Sequence, residues 1–316
     1  MKNPFEIVTG TVVSGKWHKN SYRIIKRLGH GANGTVFLAD SKGKKVALKM
    51  SREARIITSE TNVLKSFAKA QGKRPLGPSL FDVDDWEHQG QVIPFYVMEY
   101  IEGDTLFHFL ERRGRTWLPV LILQLLEDLA ALHKMGWVFG DLKPENMIVT
   151  PPPHRIRCID VGGATKISRA IKEYTEFFDR GYWGMGTRKA EPSYDLFAVA
   201  MVIINCYYPG RFQKKEGGLN QLNHMIRKHL ELKKYAEILN KAITGKYQRA
   251  TEMRHDVLLF IQNKAFLANK SSYNRYQTQK KIRSKKRKQI WSVLETIFIL
   301  TVIGFLYFAY FLEKMM

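Results

Sequence analysis

Residues 139–146 read FGDLKPEN, and this stretch decides how the rest of the chain is interpreted. Asp141 is followed five residues later by Asn146, with Lys143 between them. A carboxylate can accept a proton from an attacking hydroxyl, an amide oxygen can bind a metal ion, and a lysine can neutralise a phosphoryl group during its transfer. The spacing therefore indicates a phosphoryl-transfer loop, with Asp141 as the base, Lys143 as the neutralising charge and Asn146 as a metal ligand.

A second metal ligand is predicted further along the chain. Asp160 follows an apolar run, fourteen residues after Asn146, and precedes Val161-Gly162. Phosphoryl transfer depends mainly on positioning and charge neutralisation, so the site needs an acid that holds Mg²⁺ or Mn²⁺ against nucleotide phosphates. We predict that Asp160 is this acid and that Asn146 binds metal beside it.

A glycine motif precedes this half of the site. LGHGANGTVFL begins at Leu28 and contains Gly29, Gly31 and Gly34. The same spacing occurs in dinucleotide-binding fingerprints, but those open a helix. Here the residues from Thr35 onward resume a strand pattern. This favours a glycine-rich hairpin whose backbone amides can approach phosphates closely.

Lys49 ends the next predicted strand, in the sequence Val46-Ala47-Leu48-Lys49. A lysine at this place can pair with nucleotide phosphates if a carboxylate fixes it. The following residues, 52–70, have helical spacing and contain two candidate partners, Glu60 and Glu53. We predict Glu60, because Glu53 lies too near the end of the strand.

Taken in order, these motifs resemble those of the Hanks-type (eukaryotic-like) Ser/Thr protein kinases over roughly residues 20–262. Met98-Glu99-Tyr100-Ile101 is similar to the lobe-joining segment of that family, and Asp195 to the aspartate of its buried central helix. The resemblance implies ATP with Mg²⁺ or Mn²⁺, protein substrates and autophosphorylation. It identifies Asp141, Lys143 and Lys49 as catalytic. The nucleotide-binding residues it implies are Leu28, Gly29, Gly31, Gly34, Val36, Ala47, Lys49, Glu60, Met98, Glu99, Ile101 and Ile148.

Several positions depart from the family pattern. Gly140 replaces the arginine that usually reads a phosphate on the activation segment, so activation through that ion pair is not expected. Phe139 replaces a histidine with a packing role, and Val161 replaces a phenylalanine. Further on, Glu191 and Arg249 are candidates for the family's structural ion pair. The candidate phosphorylation sites in the activation segment are Thr165, Ser168, Thr175 and Thr187.

Two other functions compete with an active protein kinase. A small-molecule kinase would also carry glycine before its catalytic aspartate, but it usually has histidine where Lys143 stands. A catalytically silent module that recruits DNA to the membrane would not need Lys49, Asp141, Asn146 and Asp160 together. The complete set favours an active protein kinase.

The predicted fold is α+β and two-lobed, with a strand-rich N-lobe, a helical C-lobe and one C-terminal transmembrane helix. Cys158 and Cys206 each lie in an apolar stretch of sequence, and we expect both to be reduced and buried in the core. Two amphipathic helices are predicted near 219–242 and 251–267. The segments are an N-terminal extension at 1–20, a kinase domain at 21–265 with its lobe boundary near 102/103, a polybasic segment at 266–290, the membrane helix at 291–312 and a short tail at 313–316.

The net charge of +22 predicts attraction to polyanions, and much of it lies in one stretch. Residues 269–289 contain nine Lys or Arg and no acid. Anionic lipid alone accounts for a basic cluster beside a membrane. The resemblance also implies DNA binding without sequence preference, to which two tyrosines of the segment can add base stacking. The predicted DNA- or lipid-binding residues are Lys280, Lys281, Arg283, Lys285, Lys286, Arg287 and Lys288.

The uncharged run at 296–312 follows this basic segment directly. Its seventeen residues span about 25 Å as a helix, and extension back to Trp291 makes it long enough for a bilayer core. Basic flanks stay on the cytoplasmic side, so a single-pass anchor in the cell membrane with a cytoplasmic kinase domain is predicted. Self-association in the membrane plane or along DNA is expected to promote autophosphorylation.

Overall fold

The computed structural model describes residues 7–31, 33–71, 76–215 and 217–263, together with residues 294, 301, 302 and 304. The chain consists of two compact units, Met1–Leu259 and Phe260–Met316. The predicted two-lobed α+β architecture is confirmed in the first unit. The polybasic residues 280–288 and nearly all of the predicted membrane helix lie outside the described residues, so these two features stay predictions.

The N-lobe is a six-stranded antiparallel sheet in the order β1-β2-β3-β4-β6-β5. Its strands are β1 (Val12–Ser14), β2 (Ser21–Gly31), β3 (Gly34–Ser41), β4 (Lys44–Met50), β5 (Leu80–His88) and β6 (Gln91–Glu99). Strand β1 lies within the segment predicted to be an N-terminal extension, and it pairs with β2 at the edge of the sheet. The helix α1 (Ala54–Gln71) connects β4 to the later strands.

Two tight turns close hairpins of this sheet. Lys42 and Gly43 join β3 to β4 with φ values of 54° and 80°, and Gln89 and Gly90 join β5 to β6 with 50° and 74°. Positive φ at both central residues gives a turn whose twist matches that of the flanking strands. The Gln-Gly pair was therefore a sequence signal for the hairpin that contains β5, a strand that the sequence analysis did not predict.

Strand β5 was missed because acids occupy its inward positions. Asp82 and Asp84 are both buried, where a half-buried strand normally carries apolar residues. They bind the chain just before β2 and the beginning of that strand. Asp82 accepts hydrogen bonds from Tyr22 Oη at 2.6 Å and Asn20 Nδ2 at 3.0 Å, and it contacts His18 Nδ1 at 2.6 Å.

The C-lobe is mainly helical and carries two small sheets. Its helices are α2 (Leu106–Arg113), α3 (Leu118–Lys134), α4 (Arg180–Trp183), α5 (Pro192–Tyr207), α6 (Gly218–Lys228), α7 (Leu230–Lys233), α8 (Ala236–Ile243) and α9 (250–263). Its short strands are β7 (Asp104–Thr105), β8 (Trp137–Val138), β9 (Met147–Val149), β10 (Ile156–Cys158) and β11 (Thr165–Lys166). Cys158 and Cys206 are both free and buried.

The amphipathic helix predicted at 219–242 was wrong as a single element, because α6, α7 and α8 occupy that range. The break falls at His229, whose backbone is extended at φ −93° and ψ 120°. Its imidazole Nδ1 accepts hydrogen bonds from the amides of Glu231 and Leu232. A side chain that caps a new helix start stabilises the break that periodicity alone does not reveal.

Among the described residues, one helical stretch is long and apolar enough to cross a membrane. It is Arg115–Lys134, and 56% of its most apolar window is buried inside the domain. Burial of this kind is typical of a core helix, and α3 indeed packs in the C-lobe between α1 and α5.

The attachment of the N-terminal segment to β5 predicts a pH-dependent stability. Burial raises the pKa of Asp82, but hydrogen bonds from Tyr22, Asn20 and His18 outweigh it and leave that pKa lowered. A lowered carboxyl pKa contributes stability above its unfolded value and loses it as pH falls. We expect Asp82→Asn to lower the free energy of unfolding by about 2 kcal/mol at neutral pH, and to flatten its fall below about pH 4.

Denaturant unfolding at a series of pH values measures both effects. Glu111→Gln, which neutralises an exposed acid of α2, is the matched control and should behave like the wild type. An Asp82→Asn protein as stable as this control at neutral pH would contradict the assignment.

Candidate active site

Lys49 and Glu60 form a buried ion pair between β4 and α1. Lys49 Nζ lies 2.6 Å from Glu60 Oε1, and both side chains are less than a tenth exposed. Glu53, the alternative partner, is exposed and pairs with Arg55 instead. Tyr96 of β6 donates to Glu60 Oε2 at 2.9 Å. Burial raises the pKa of Glu60, while Lys49 and Tyr96 act to lower it.

Asp195 holds the catalytic loop in place from the buried helix α5. Its carboxylate is fully buried and accepts hydrogen bonds from the amides of Phe139 at 2.8 Å and Gly140 at 2.9 Å. His133 Nε2, near the end of α3, lies 2.9 Å from the same carboxylate. One side chain therefore fixes the backbone directly before Asp141 and joins it to two core helices.

The geometry at Gly140 explains why no arginine stands there. Gly140 has φ +86°, and a Cβ on it would lie 2.5 Å from the carbonyl oxygen of Gly163. Any side chain at this position would be strained and would collide with the backbone. Phe139 beside it is buried and packs against Phe67 of α1, with ring centroids 6.3 Å apart. The packing function predicted for this aromatic residue therefore has a physical basis.

Asp141 is buried and bonded on both oxygens. Lys143 Nζ forms a short hydrogen bond to its Oδ2, and Thr175 Oγ1 donates to its Oδ1 at 3.0 Å. Lys143 Nζ also lies 3.3 Å from the Thr175 hydroxyl. Thr175 was predicted as a phosphorylation site. In this structure its hydroxyl instead orients the carboxylate that would accept the substrate proton.

Asn146 and Asp160, the predicted metal ligands, line one cavity of about 590 Å³. The amide of Gly162 donates to Asp160 Oδ1 at 2.9 Å and so limits rotation of that carboxylate. Carboxylate and amide oxygens are suitable ligands for Mg²⁺ and Mn²⁺. The donor set therefore fits the implied metal.

Every nucleotide-binding residue predicted from the sequence, except Glu60, lines this cavity. Glu60 is buried behind Lys49. The sequence reasoning missed further lining residues, which are His30, Asn33, Pro78, Tyr96, Tyr100, Gly103, Ile159 and Glu173. His30 and Asn33 lie within the glycine motif and Tyr100 within the lobe-joining segment, so these motifs could have indicated them. The others come from several separate segments that no local pattern connects.

Glu99 was predicted to bind nucleotide, and its side chain has another role. Its carboxylate accepts from Arg157 at 2.5 and 2.9 Å and from the amide of Ser79 at 3.1 Å. Arg157 also donates to the carbonyl oxygen of Gly77 at 2.6 Å. Glu99 can therefore offer the cavity its backbone, while its side chain ties β6 to β10.

The other candidate phosphorylation sites differ in accessibility. Thr165 is fully buried and its hydroxyl donates to the carbonyl oxygen of Gly163, so this conformation does not expose it to a kinase. Ser168 and Thr187 are both exposed. The roles of all four sites stay predictions, with Ser168 and Thr187 favoured by exposure.

The predicted ion pair between Glu191 and Arg249 was wrong. Glu191 Oε1 accepts from Arg180 Nη2 at 2.6 Å, whereas Arg249 pairs with Glu252 within its own helical turn. Arg180 is buried and also donates to Ser193 Oγ at 2.8 Å. Arg180, which is only eleven residues from Glu191 in the sequence, therefore forms the ion pair that was predicted for the more distant Arg249.

The Tyr96–Glu60 hydrogen bond predicts a shift in the pH profile of phosphoryl transfer. The Lys49–Glu60 pair needs an ionised Glu60, and loss of the tyrosine hydroxyl should raise its pKa further. We expect Tyr96→Phe to move the acidic limb of kcat/KM upward by about 0.5–1 pH unit. Tyr22→Phe, which removes a buried hydroxyl that donates to Asp82 rather than to Glu60, is the control. Coincident acidic limbs for wild type and Tyr96→Phe would contradict this.

Comparison with known proteins agrees with the geometry. Residues 22–290 match the protein kinase domain family. The serine/threonine-protein kinase YabT of Bacillus subtilis is 48% identical over 95% of this chain and 94% of its own length. The serine/threonine-protein kinase cds1 of Schizosaccharomyces pombe is 33% identical over 52% of this chain and 37% of its own.

A solved structure of vaccinia related kinase 3 covers 81% of this chain and 91% of its own, with a TM-score of 0.58 and 18% identity. At this identity the likeness supports the fold alone. The family match extends over most of the chain, and the similarity to YabT extends over nearly all of it. The chain therefore belongs to the protein kinase family, as a Hanks-type bacterial protein-serine/threonine kinase similar to YabT.

Proposed function

We propose that this kinase is catalytically active, phosphorylates Ser and Thr of protein substrates and of its own copies, and works at the cell membrane in response to DNA. The observation that carries the catalytic part is the assembled site. Lys49 is fixed by Glu60, and Asp141 is oriented beside Lys143. A silent scaffold does not need these groups in this arrangement.

ATP with Mg²⁺ or Mn²⁺ fits the cavity. Ala47 and Ile148 supply buried apolar surface for a base, while Asn146 and Asp160 supply oxygen ligands for a metal. When bound, the metal neutralises charge on the phosphates. Lys49, held by Glu60, adds a fixed positive charge for the same phosphates.

The transfer step itself requires one proton acceptor and one further positive charge. Asp141 accepts the proton of the attacking Ser or Thr hydroxyl as the new bond to phosphorus forms. Lys143 beside it neutralises the phosphoryl group in transfer. Thr175 keeps the carboxylate of Asp141 oriented through its hydrogen bond. Positioning and electrostatics together account for most of the catalysis that this reaction needs.

Autophosphorylation between copies is part of the proposal. The exposed Ser168 and Thr187 are the acceptors that the structure favours. Gly140 has no side chain that could bind a phosphate, so activation through an ion pair between this position and a phosphorylated activation segment is not expected. Concentration of copies in a membrane or along DNA is the alternative that we propose.

The membrane and DNA parts of the proposal are supported by the sequence. Residues 291–312 carry one charge, Glu295, near one end and follow a strongly basic segment, which favours a single-pass anchor with the kinase domain in the cytoplasm. The basic residues can attract anionic lipid and the phosphates of DNA. The signalling role that we propose for it is in sporulation or in the response to DNA damage.

Asp141→Asn tests the catalytic part. We expect a loss of about a hundredfold or more in phosphate transfer from labelled ATP to a basic protein, since the proton acceptor is removed. Asp40→Asn, which neutralises an acid at the end of β3, should retain activity. Equal inactivity of wild type and Asp141→Asn with both Mg²⁺ and Mn²⁺ would favour the silent scaffold.

Replacement of the seven basic residues between 280 and 288 by glutamine tests the DNA part. We expect DNA affinity to fall strongly and its dependence on salt to weaken, because fewer phosphates are neutralised. Fluorescence anisotropy with duplexes of unrelated sequence measures both.

The matched control replaces seven exposed basic residues of the N-lobe and should retain DNA affinity; they are Lys19, Arg23, Lys26, Lys42, Lys44, Lys65 and Lys69. Anionic vesicles form a parallel arm of the same titration. Unchanged DNA affinity with reduced vesicle binding would assign the basic segment to lipid alone.

A further inference from the structure

Residues 163–174 join the metal-binding Asp160 region to Thr175, and two consecutive side chains of this segment contact the N-lobe. Asn33 Nδ2 in the glycine-rich turn donates to Glu173 Oε1 at 2.6 Å. Lys172 Nζ lies 3.2 Å from Ser59 Oγ of α1. The segment is therefore tied to the glycine-rich turn and to the helix that carries Glu60.

Glu173 is half-buried and lines the nucleotide cavity together with Asn146 and Asp160. The space around Gly162 shows how close the acids are. A Cβ on Gly162 would lie 3.4 Å from Glu173 Oε2, 3.2 Å from Asp160 Oδ1 and 3.2 Å from Glu60 Oε1. Three carboxylates thus surround one point beside Asp160, the predicted metal ligand.

The negative charge of these carboxylates disfavours the binding of an anionic ligand such as a nucleotide. Lys49 is the lysine of the cavity lining, and it is already paired with Glu60. Asp160 and Glu173 add negative charge, and no lysine or arginine besides Lys49 is among the described residues that line the cavity. Asn33, whose turn should approach the phosphates, is meanwhile bonded to Glu173. A bound nucleotide must compete with Glu173 both for space and for the glycine-rich turn.

We propose that Glu173 and Asn33 form an autoinhibitory strap across the nucleotide cavity, and that nucleotide binding opens it and releases residues 163–174. The strap couples occupancy of the cavity to the segment that carries Ser168 and leads to Thr175. Such coupling does not need an arginine that reads a phosphate, and Gly140 cannot provide one. The charge of Glu173 also makes neutralisation by a divalent cation more important for nucleotide entry.

Two variants separate the charge of the strap from its hydrogen bond. Glu173→Gln keeps an oxygen that can accept from Asn33 but removes the negative charge. Asn33→Ala removes the hydrogen bond but keeps the charge. Ser59→Ala is the matched control, since it breaks the neighbouring contact with Lys172 without changing the lining of the cavity.

The dissociation constants of ADP and ATP are measured by calorimetry on the full chain, with Mg²⁺ and with a chelator. We expect Glu173→Gln to bind about three- to tenfold more tightly, with the larger gain in the chelator. Asn33→Ala should also gain affinity, because binding no longer has to break the contact. Ser59→Ala should stay within about twofold of the wild type.

Hydrogen exchange gives a second readout, in which ADP with Mg²⁺ should increase amide exchange within residues 163–174 of the wild type. Weaker nucleotide binding by Glu173→Gln or Asn33→Ala, or slower exchange on ADP binding, would overturn the proposal and make the contact a latch that retains nucleotide. Unchanged affinities would also overturn it. None of these readouts depends on phosphoryl transfer, DNA or membrane, so their failure is distinguishable from failure of the proposed function.

Discussion

The buried carboxylate of Asp195 is the group on which the catalytic half of the molecule depends. It accepts hydrogen bonds from the backbone amides of Phe139 and Gly140 and lies beside the imidazole of His133. Buried amides without an acceptor would cost roughly 1–3 kcal/mol each, so the loop before Asp141 has a strong reason to stay in one conformation. A core helix thereby positions catalytic residues that belong to an irregular loop.

The N-lobe contributes through a second buried polar group, the Lys49–Glu60 pair. A buried ion pair gains stability only when further hydrogen bonds satisfy the charged groups, and Tyr96 supplies one of them. This makes α1 part of the nucleotide site, because movement of the helix would separate Glu60 from Lys49 and leave a buried lysine without its ion-pair partner. The contact of Lys172 with Ser59, next to Glu60, connects the same helix to the C-lobe.

The local geometry explains why Gly140 and Phe139 stand where the family usually has arginine and histidine. Gly140 is constrained by its positive φ and by the carbonyl of Gly163, and Phe139 fills a space against α1. Neither substitution touches the carboxylate of Asp141. The loop keeps its chemical groups and lacks the means to read a phosphate, and the activation segment instead contacts the N-lobe through Lys172 and Glu173.

The sequence by itself determined the two-lobed architecture and the order of the motifs, because glycines, strand periodicity and the spacing of Asp141, Asn146 and Asp160 are local signals. Through the family resemblance that these motifs carry, it also predicted many, but not all, of the residues that line the nucleotide cavity. Only the tertiary structure decided that Tyr96 bonds Glu60, that Arg180 replaces Arg249 as the partner of Glu191, that β5 carries buried acids, and that Glu173 enters the cavity. Each of these depends on side chains from separate segments that meet after folding. Their partners are selected by burial and hydrogen-bond geometry, which spacing along the chain does not encode.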